Sequence, residues 1–314
     1  MVVAALPHSA AVHEEPRGGG RNTGRQPVRS GVLLIVGSTC AGQACLAEAI
    51  GTFVIVLFGT GSVHTAVLFG AQAGLWQVAI VWALAVAFAI TLTADRSGAH
   101  LNPAITVAMA TFRGFPLGRV IPYIAAQVAG AFCASALLYL LFGNALAIFE
   151  AAKHVTRGDP GSVVSAMCYG EYFPCPGPCA PGTPMAHAVS KSVAFLAELV
   201  GTAFLSLVIF AVTDESNEAR PRPGMTPFAI GLAVAMIISI AAPLTQAGLN
   251  PARDFGPRLF AFLAGWGSVA IPGPRGGFFS VYILAPIIGA LIGGAVWNVA
   301  LRKRSCTPGA QALA

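Results

Sequence analysis

The sequence predicts an all-α integral membrane protein with six transmembrane helices and two half-helices that re-enter the membrane from opposite sides, arranged as an inverted-topology internal repeat. Three observations lead to this fold class: an apolar composition, six apolar blocks of membrane-spanning length, and three motifs that each occur twice. Of the 314 residues, 56% are hydrophobic and only 10% are charged, whereas about a quarter of the residues of a soluble domain are charged. The chain is therefore expected to lie in a membrane.

Six apolar blocks are each long enough for the roughly 20 residues that a helix needs to cross the hydrocarbon core. They occupy residues 45–67, 75–94, 120–142, 192–212, 225–244 and 278–301. Two shorter apolar runs, 102–112 and 250–262, would as helices reach only about half of a ~30 Å core, at about 1.5 Å per residue. These two runs are predicted to enter the membrane without crossing it.

The basic residues are unevenly divided between the two sides of the membrane that these spans define. If the N-terminus is cytoplasmic, twelve Lys and Arg residues fall inside and six fall outside. Cytoplasmic loops carry an excess of Lys and Arg, so both termini are predicted to be cytoplasmic, in a multi-pass protein of the plasma membrane. The formal charge of +6 is then a topology signal. It implies no nucleic-acid partner, and the lipid bilayer is the partner expected of such a surface.

Three sequence motifs occur once in each half of the chain. They are "AEAIGT" at 47–52 and "AELVGT" at 197–202, Asn-Pro-Ala at 102–104 and 250–252, and "YIAAQVAGA" from Tyr123 and "YILAPIIGA" from Tyr282. The separations are 150, 148 and 159 residues, and such near-constancy indicates a duplication. Each half holds three spans, an odd number, so the second copy is predicted to lie upside down relative to the first.

The duplication divides the chain into a membrane domain and two tails. The predicted membrane domain covers 43–301, with the first repeat at 43–143, an outside link at 144–190 and the second repeat at 191–301. Residues 1–42 are rich in Gly and Arg and are predicted to be a disordered cytoplasmic tail, and residues 302–314 form a second one. Cys175 and Cys179 lie in the link, where their Pro-rich spacing is not that of a metal site. Their oxidation state is left open.

The Asn-Pro-Ala motifs place a helix start at each short apolar run. Asn is favoured at the helix N-cap, and Pro at the first helical position, because the N–H that Pro lacks would have no partner there. Each Asn side chain is expected to accept from its own helix end and to retain N–H donors for a passing solute. The motif residues predicted to line a pore are Asn102, Pro103, Ala104, Asn250, Pro251 and Ala252.

The residues before each motif are predicted to be non-helical. Irregular backbone at membrane depth is tolerated only where protein or a water-filled cavity meets its polar groups. The carbonyl groups expected to line the pore are those of Gly98, Ala99, His100, Leu101, Gly248 and Leu249. Two positive helix ends that meet near the midplane would also disfavour a cation or a proton there.

Glu48 and Glu198 occupy equivalent repeat positions within the first and fourth spans. A carboxylate without partners is costly in a membrane, so each is predicted to accept backbone N–H groups of one irregular segment and to hold that segment in place. The alternative role, a proton relay in a coupled transporter, is weaker because no chain of further intramembrane acids or His residues connects the two.

Taken together, the motifs "SGAHLNPA" and "NPARDFGPR" and the repeated "AExxGT" resemble the major intrinsic protein family, the aquaporins and aquaglyceroporins, over residues 45–301. The resemblance implies a homotetramer with one pore in each subunit. It also implies a selectivity filter at Trp82, Ile238, Ala247 and Arg253, which match the family's filter positions by their spacing from the two Asn residues. Arg253 carries five donors and a permanent charge, so at a constriction it would bind hydroxyl or water oxygens and repel cations.

Several residues around the second motif are similar to those of the glycerol-conducting branch of this family. Asp254 follows Arg253 directly, and Arg258 comes four residues after Asp254, a spacing at which the two side chains are predicted to pair near the outer mouth. No filter position holds the His that water-selective members usually have, and Ile238 and Ala247 leave an apolar wall and room for a polyol. Ala247 stands where bacterial glycerol facilitators have an aromatic residue, so the filter also resembles that of the nodulin-26-like plant group.

The sequence thus predicts a passive channel for glycerol and other small neutral solutes, with water as co-permeant, that excludes ions and protons. No nucleophile–base pair or Gly-rich phosphate loop appears, so an enzyme is not expected, and no catalytic residue, metal ligand or cofactor is predicted. A broader channel for urea and neutral metalloid acids is one alternative. A coupled secondary transporter is another, since inverted repeats with broken helices also occur in that class, and a closed membrane scaffold is a third.

Overall fold

A computed structural model describes residues 41–176 and 187–303. Within these ranges the α-helices are α1 (Ala41–Phe69), α2 (Leu75–Ser97), α3 (Pro103–Phe112), α4 (Val120–Ala152), α5 (Val163–Ala166), α6 (Lys191–Thr213), α7 (Thr226–Thr245), α8 (Pro251–Ala261) and α9 (Ala285–Val296). Helix α9 is continued by π-helical turns at Phe278–Leu284 and Trp297–Leu301. The predicted tails lie almost wholly outside the described residues, as does Cys179.

Among the described residues, six helices are long and apolar enough to cross a membrane, as the hydropathy pattern predicts. They are Ala41–Phe69, Leu75–Ser97, Leu117–Ala152, Lys191–Thr213, Pro223–Thr245 and Phe278–Leu301. The two short runs form α3 and α8, of 10 and 11 residues. The chain is therefore an all-α integral membrane protein with six spans and two half-helices, and the predicted fold class is confirmed.

Helix α4 differs from its predicted length, because it continues ten residues beyond the apolar block that ends at 142. Most residues of this extension are good helix formers. At its end the carboxylate of Glu150 accepts from the Arg157 guanidinium at 2.9 Å and from the Ser165 hydroxyl at 2.7 Å. These contacts anchor the start of the outer link, which begins after Ala152 rather than at residue 144.

The two repeats pack in the same way. In the first, α1 packs on α2 and α4; in the second, α6 packs on α7 and on α9, and α2 against α7 joins the halves. Each half-helix lies chiefly on the last span of the other repeat, α3 on α9 and α8 on α4. The interlocked arrangement brings the N-terminal ends of α3 and α8 together in the middle of the protein.

A glycine at one helix crossing in each repeat allows this close packing. A Cβ added to Gly130 of α4 would overlap the carbonyl oxygen of Ala49 in α1, and one added to Gly289 of α9 would overlap that of Leu199 in α6. Small residues let the backbones of membrane helices approach closely. The two glycines are 159 residues apart, the same separation as the repeated Tyr motif, so the crossing itself is duplicated.

Candidate functional site: two half-helices and the cavity they meet in

Asn102 and Asn250 cap the two half-helices. The Oδ1 atom of Asn102 accepts from the backbone N–H of Ala104 at 2.9 Å, and Oδ1 of Asn250 accepts from those of Ala252 and Arg253 at 3.0 and 3.3 Å. Both Asn residues have extended backbone, and each is followed by a Pro at the first helical position. The short sequence Asn-Pro-Ala thereby ends the irregular segment and starts the helix.

Each Asn amide also reaches across to the other repeat. Nδ2 of Asn102 donates to the Leu249 carbonyl at 3.0 Å, and Nδ2 of Asn250 donates to the Leu101 carbonyl at 2.7 Å. An amide nitrogen carries two N–H donors. One donor on each Asn fixes the two motifs to each other, and the second is left over from this cross-connection. The two helix starts are therefore held face to face by a reciprocal pair of hydrogen bonds.

The segments before the two motifs share an unusual backbone. Ala99 and Leu101 have φ of 49° and 51°, and the equivalent Ala247 and Leu249 have φ of 60° and 56°. A left-handed conformation costs a non-glycine residue about 1–2 kcal/mol, so four such residues need support from their surroundings. The same strained positions recur in both repeats, which indicates that one duplicated set of contacts imposes them.

Glu48 and Glu198 provide much of that support. The Glu48 carboxylate accepts from the backbone N–H groups of His100 and Leu101 at 2.9 and 2.6 Å, and Glu198 accepts from those of Gly248 and Leu249 at 2.8 and 2.7 Å. Both carboxylates are fully buried. Charge-assisted bonds to two successive N–H groups are strong, and they fix the turn that precedes each half-helix.

Two tyrosines and one glutamine complete the framework. The hydroxyl of Tyr123 donates to the Ser97 carbonyl, and that of Tyr282 donates to the Thr245 carbonyl, both at 3.0 Å. Gln127 donates from Nε2 to Glu48 at 2.7 Å. No role was predicted for these Tyr side chains from the sequence. Their recurrence in both halves of the chain was the signal that could have indicated one.

A cavity of about 250 Å³ runs along the two half-helix starts. Its lining includes the segments before both motifs and the four side chains that match the family's filter, namely Gly98, Ala99, His100, Leu101, Gly248, Leu249, Asn102, Asn250, Trp82, Ile238, Ala247 and Arg253. The remaining motif residues Pro103, Ala104, Pro251 and Ala252 are buried in the first turns of α3 and α8. The lining of the cavity thus combines aliphatic and aromatic side chains with two amides and a guanidinium.

Arg253 lies between an aromatic ring and a carboxylate. Its guanidinium carbon is 4.2 Å from the centroid of the Trp82 ring, a cation–π geometry, and its Nη1 atom contacts Oε1 of Glu171 in the outer link. Both side chains are almost fully buried. Burial raises the pKa of Glu171 to about 8, and the nearby Arg253 opposes that shift. Glu171 has no counterpart in the repeat pattern, so the sequence analysis did not identify it.

Asp254 and Arg258 form the predicted pair, and both are buried and bind the outer link. Arg258 Nη2 is 2.8 Å from Oδ1 of Asp254, and its Nη1 donates to the Ala270 carbonyl at 2.8 Å. The same Asp254 oxygen accepts from the backbone N–H of Glu171 at 2.7 Å, and the Glu171 carbonyl accepts from Arg258. The ion pair therefore holds the backbone of the residue whose side chain contacts Arg253.

Known proteins share this sequence pattern over most of the chain. A family model described as major intrinsic protein matches residues 36–297. A glycerol uptake facilitator protein of Pseudomonas aeruginosa is 45% identical over 82% of this chain and 88% of its own length. One of Escherichia coli is 45% identical over 82% and 86%, and a propanediol uptake facilitator of Citrobacter freundii is 43% identical over 82% and 92%.

The fold is also that of a solved member. The X-ray structure of the aquaglyceroporin from Plasmodium falciparum matches 83% of this chain and 96% of its own chain, with a TM-score of 0.69 and 24% sequence identity. That likeness concerns the fold alone, whereas the family model and the bacterial relatives share the sequence as well. The chain belongs to the major intrinsic protein family.

Proposed function

We propose that this protein is a passive channel that conducts glycerol and other small neutral solutes, with water as co-permeant, and that it excludes ions and protons. The observation that carries the proposal is the mixed apolar and polar lining of the cavity. A polyol has a carbon edge that needs an apolar wall, supplied by Trp82 and Ile238, and hydroxyls that need donors, supplied by Arg253 and the two Asn amides. The bacterial relatives named glycerol uptake facilitators support the same solute. A family of such facilitators also agrees with the prediction that the chain is not an enzyme.

Ion exclusion is proposed from the charges that face the cavity. The N-terminal ends of α3 and α8 each carry a partial positive charge, and Arg253 adds a guanidinium that stays charged at any physiological pH. A cation that enters the cavity would meet these positive groups. The reciprocal bonds of Asn102 and Asn250 keep both helix ends at the cavity.

A wider solute range is the second candidate. Ala247 is small and lines the cavity beside Ile238, so the filter leaves room for solutes such as urea and neutral metalloid acids. A relative named a propanediol uptake facilitator, 43% identical, extends the range of related proteins beyond glycerol. A coupled transporter is less well supported, because the relatives are named facilitators.

Topology and assembly belong to the same proposal. We infer that the chain is a plasma-membrane homotetramer with both termini cytoplasmic, with a channel domain at 43–301 between tails at 1–42 and 302–314. Large apolar side chains such as Leu140 and Ile240, which are 81% and 78% exposed, supply surface for lipid or for neighbouring subunits. Chemical cross-linking in membranes would separate a tetramer from a monomer.

Stopped-flow light scattering on proteoliposomes tests the proposed conduction. Glycerol and urea gradients should be followed by swelling much faster than in empty liposomes, while a sucrose gradient should give shrinkage alone. Rates should not depend on a sodium or proton gradient and should not saturate at modest solute concentration. Glycerol rates equal to those of empty liposomes, at a verified protein density, would contradict the channel, and dependence on an ion gradient would favour a transporter.

A further inference from the structure

Arg253 is not a lone cation at the cavity, because a carboxylate from the outer link contacts it. Glu171 is 2% exposed, and its Oε1 atom meets Nη1 of Arg253. Its other carboxylate oxygen has no hydrogen-bond partner among residues 41–176 and 187–303. The carboxyl group is therefore directed at the filter arginine and is not used elsewhere in the described part of the fold.

The position of Glu171 is built by contacts from three separate parts of the chain. Its backbone N–H donates to Asp254 at 2.7 Å, and its carbonyl accepts from Arg258. The next residue, Tyr172, donates its N–H to Oε1 of Gln246 at 2.9 Å and its hydroxyl to the Val269 carbonyl at 3.0 Å. A loop residue with so many fixed neighbours presents its side chain in one place.

Two ion pairs lie at this contact. Asp254 and Arg258 form one, and Arg253 and Glu171 form the other. Glu198 is bound instead by the backbone N–H groups of Gly248 and Leu249. Two opposite charges in direct contact look nearly neutral to an ion a few ångströms further away, whereas either charge alone exerts a strong field in a buried site.

We propose that Glu171 is a fifth determinant of selectivity, a positioning and charge-balancing residue that pairs with Arg253 so that, when its carboxyl group is ionised, the filter presents hydrogen-bond donors to solutes but little net charge to ions of either sign. The inference rests on the proposed role of Arg253 in ion exclusion. It predicts that, when either Arg253 or Glu171 is removed, the channel admits the ions that the remaining residue attracts. Arg253 alone would admit anions, and Glu171 alone would admit cations.

A double-mutant cycle tests this pairing. Wild type, Glu171→Gln, Arg253→Val and the double variant are reconstituted in proteoliposomes, and leaks of potassium and of chloride are measured at about pH 9, where a carboxyl with a pKa near 8 is mostly ionised. Glu171→Gln should raise chloride leak about tenfold with no rise in potassium leak, and Arg253→Val should raise potassium leak about tenfold, as expected for one uncompensated charge in a buried site. The double variant should leak less of each ion than the corresponding single variant.

Controls separate this role from a structural one. Asp159→Asn removes a carboxylate from an exposed position of the same link and should change neither leak. Glycerol flux and membrane level show whether each variant is folded, and Glu171→Ala serves in place of Glu171→Gln if the latter does not reach the membrane. A merely structural residue would give leaks of both signs together, and that result would overturn the proposal.

The outcomes also distinguish the two proposals. If Arg253→Val leaks potassium and the double variant leaks as much, the role of Glu171 is overturned while that of Arg253 stands. If Arg253→Val leaves the potassium leak unchanged, the role of Arg253 in ion exclusion is overturned. The charge-balancing role of Glu171 is then tested by the chloride leak of Glu171→Gln alone. Unchanged chloride leak in a folded Glu171→Gln channel would overturn the charge balance.

Discussion

The half-helices α3 and α8 share their capping Asn and their first two residues, Pro and Ala, and they diverge at the next residue. Ile105 of α3 corresponds to Arg253 of α8, Thr106 to Asp254, and Ala110 to Arg258. Thr106 is fully buried, donates to the Asn102 carbonyl at 3.0 Å and accepts from Gln127 at 3.1 Å. One position after this divergence, α3 therefore makes neutral hydrogen bonds through Thr106, whereas α8 makes an ion pair through Asp254.

The comparison separates two tasks that one duplicated unit performs. Residues that are the same in both repeats fix the backbone: one Glu, one Asn-Pro-Ala and one Tyr in each. Residues that differ supply the chemistry, and in the described chain they place a guanidinium at the cavity only beside α8. A symmetric scaffold can thus carry the proposed asymmetric filter, because the contacts made by the shared residues are different from those made by Arg253.

The largest expected effect concerns the shared scaffold. Glu198→Ala leaves the N–H groups of Gly248 and Leu249 buried without an acceptor, at a cost of about 1–3 kcal/mol for each, and Glu48→Ala should act similarly on His100 and Leu101. We expect low membrane levels or no glycerol flux for both. Exposed Glu218→Ala is the control. Full glycerol flux from Glu198→Ala at a normal membrane level would show that the duplicated carboxylates are not needed as a scaffold.

The next effect compares the ion pair of α8 with the neutral hydrogen bonds at the equivalent position of α3. Asp254→Ala leaves the buried Arg258 without its carboxylate, and removing one partner of a buried ion pair costs about 3–5 kcal/mol. Its counterpart Thr106→Ala removes only neutral hydrogen bonds, worth about 1 kcal/mol each. Thermal unfolding in detergent, followed by tryptophan fluorescence, should give a much larger loss for Asp254→Ala. Equal losses would mean that the ionic and the neutral surroundings contribute alike.

The sequence predicted the scaffold well because its signals are local or repeated. Span length and hydropathy gave six helices, and the Asn-Pro-Ala pair gave the two half-helices, since capping depends on neighbouring residues. The recurrence of Glu48 as Glu198 indicated a common role even without a structure. Family membership is likewise confirmed by relatives at 45% identity.

The contacts of the outer link could not be predicted from local or repeated signals. Glu171 lies in "CYGEYFPC", where a carboxylate between Gly and Tyr is typical of a solvated loop, and no repeat marks it. Its burial depends on Asp254, Arg258 and Gln246, which are 75 or more residues away in sequence. The sequence predicted the Asp254–Arg258 pair but not its burial, because spacing on a helix predicts which side chains meet but not what covers them.

Ile238, in the proposed filter, gives a smaller effect, on selectivity rather than on folding. Ile238→His replaces an apolar surface with a bulkier polar one, and each methylene moved onto a polar wall forfeits up to about 0.8 kcal/mol. For a solute with three carbons the glycerol-to-water permeability ratio should therefore fall more than about tenfold. Ile90, at the equivalent position of the first repeat, also lines the cavity. Ile90→His should have less effect, because among the described lining residues the guanidinium belongs to α8.

Matched proteoliposomes of the wild type and both His variants would measure this ratio for the Ile238 prediction. A ratio within about a factor of two of the wild type in Ile238→His would show that Ile238 does not line the constriction. A larger fall in Ile90→His than in Ile238→His would place the selective wall beside α3, and the proposed filter would be at the wrong end of the cavity.

The smallest expected effect is at the neutral cluster beside α3. Gln127 is fully buried and donates from one nitrogen to Glu48 and to Thr106, while its Oε1 atom has no partner among the described residues. Gln127→Met keeps the volume. It loses the hydrogen bonds that Gln127 donates, but it also removes the cost of an unpartnered buried oxygen, so the free energy of unfolding should fall by only about 1 kcal/mol.

In this variant Glu48 still accepts from both backbone N–H groups. The variant should therefore unfold at a slightly lower temperature while its potassium and chloride leaks stay at wild-type levels, because no charge at the filter changes. A clear ion leak in Gln127→Met, in a channel with normal glycerol flux, would show that the neutral cluster takes part in selection and that the division between scaffold and filter is not the one drawn from the two half-helices.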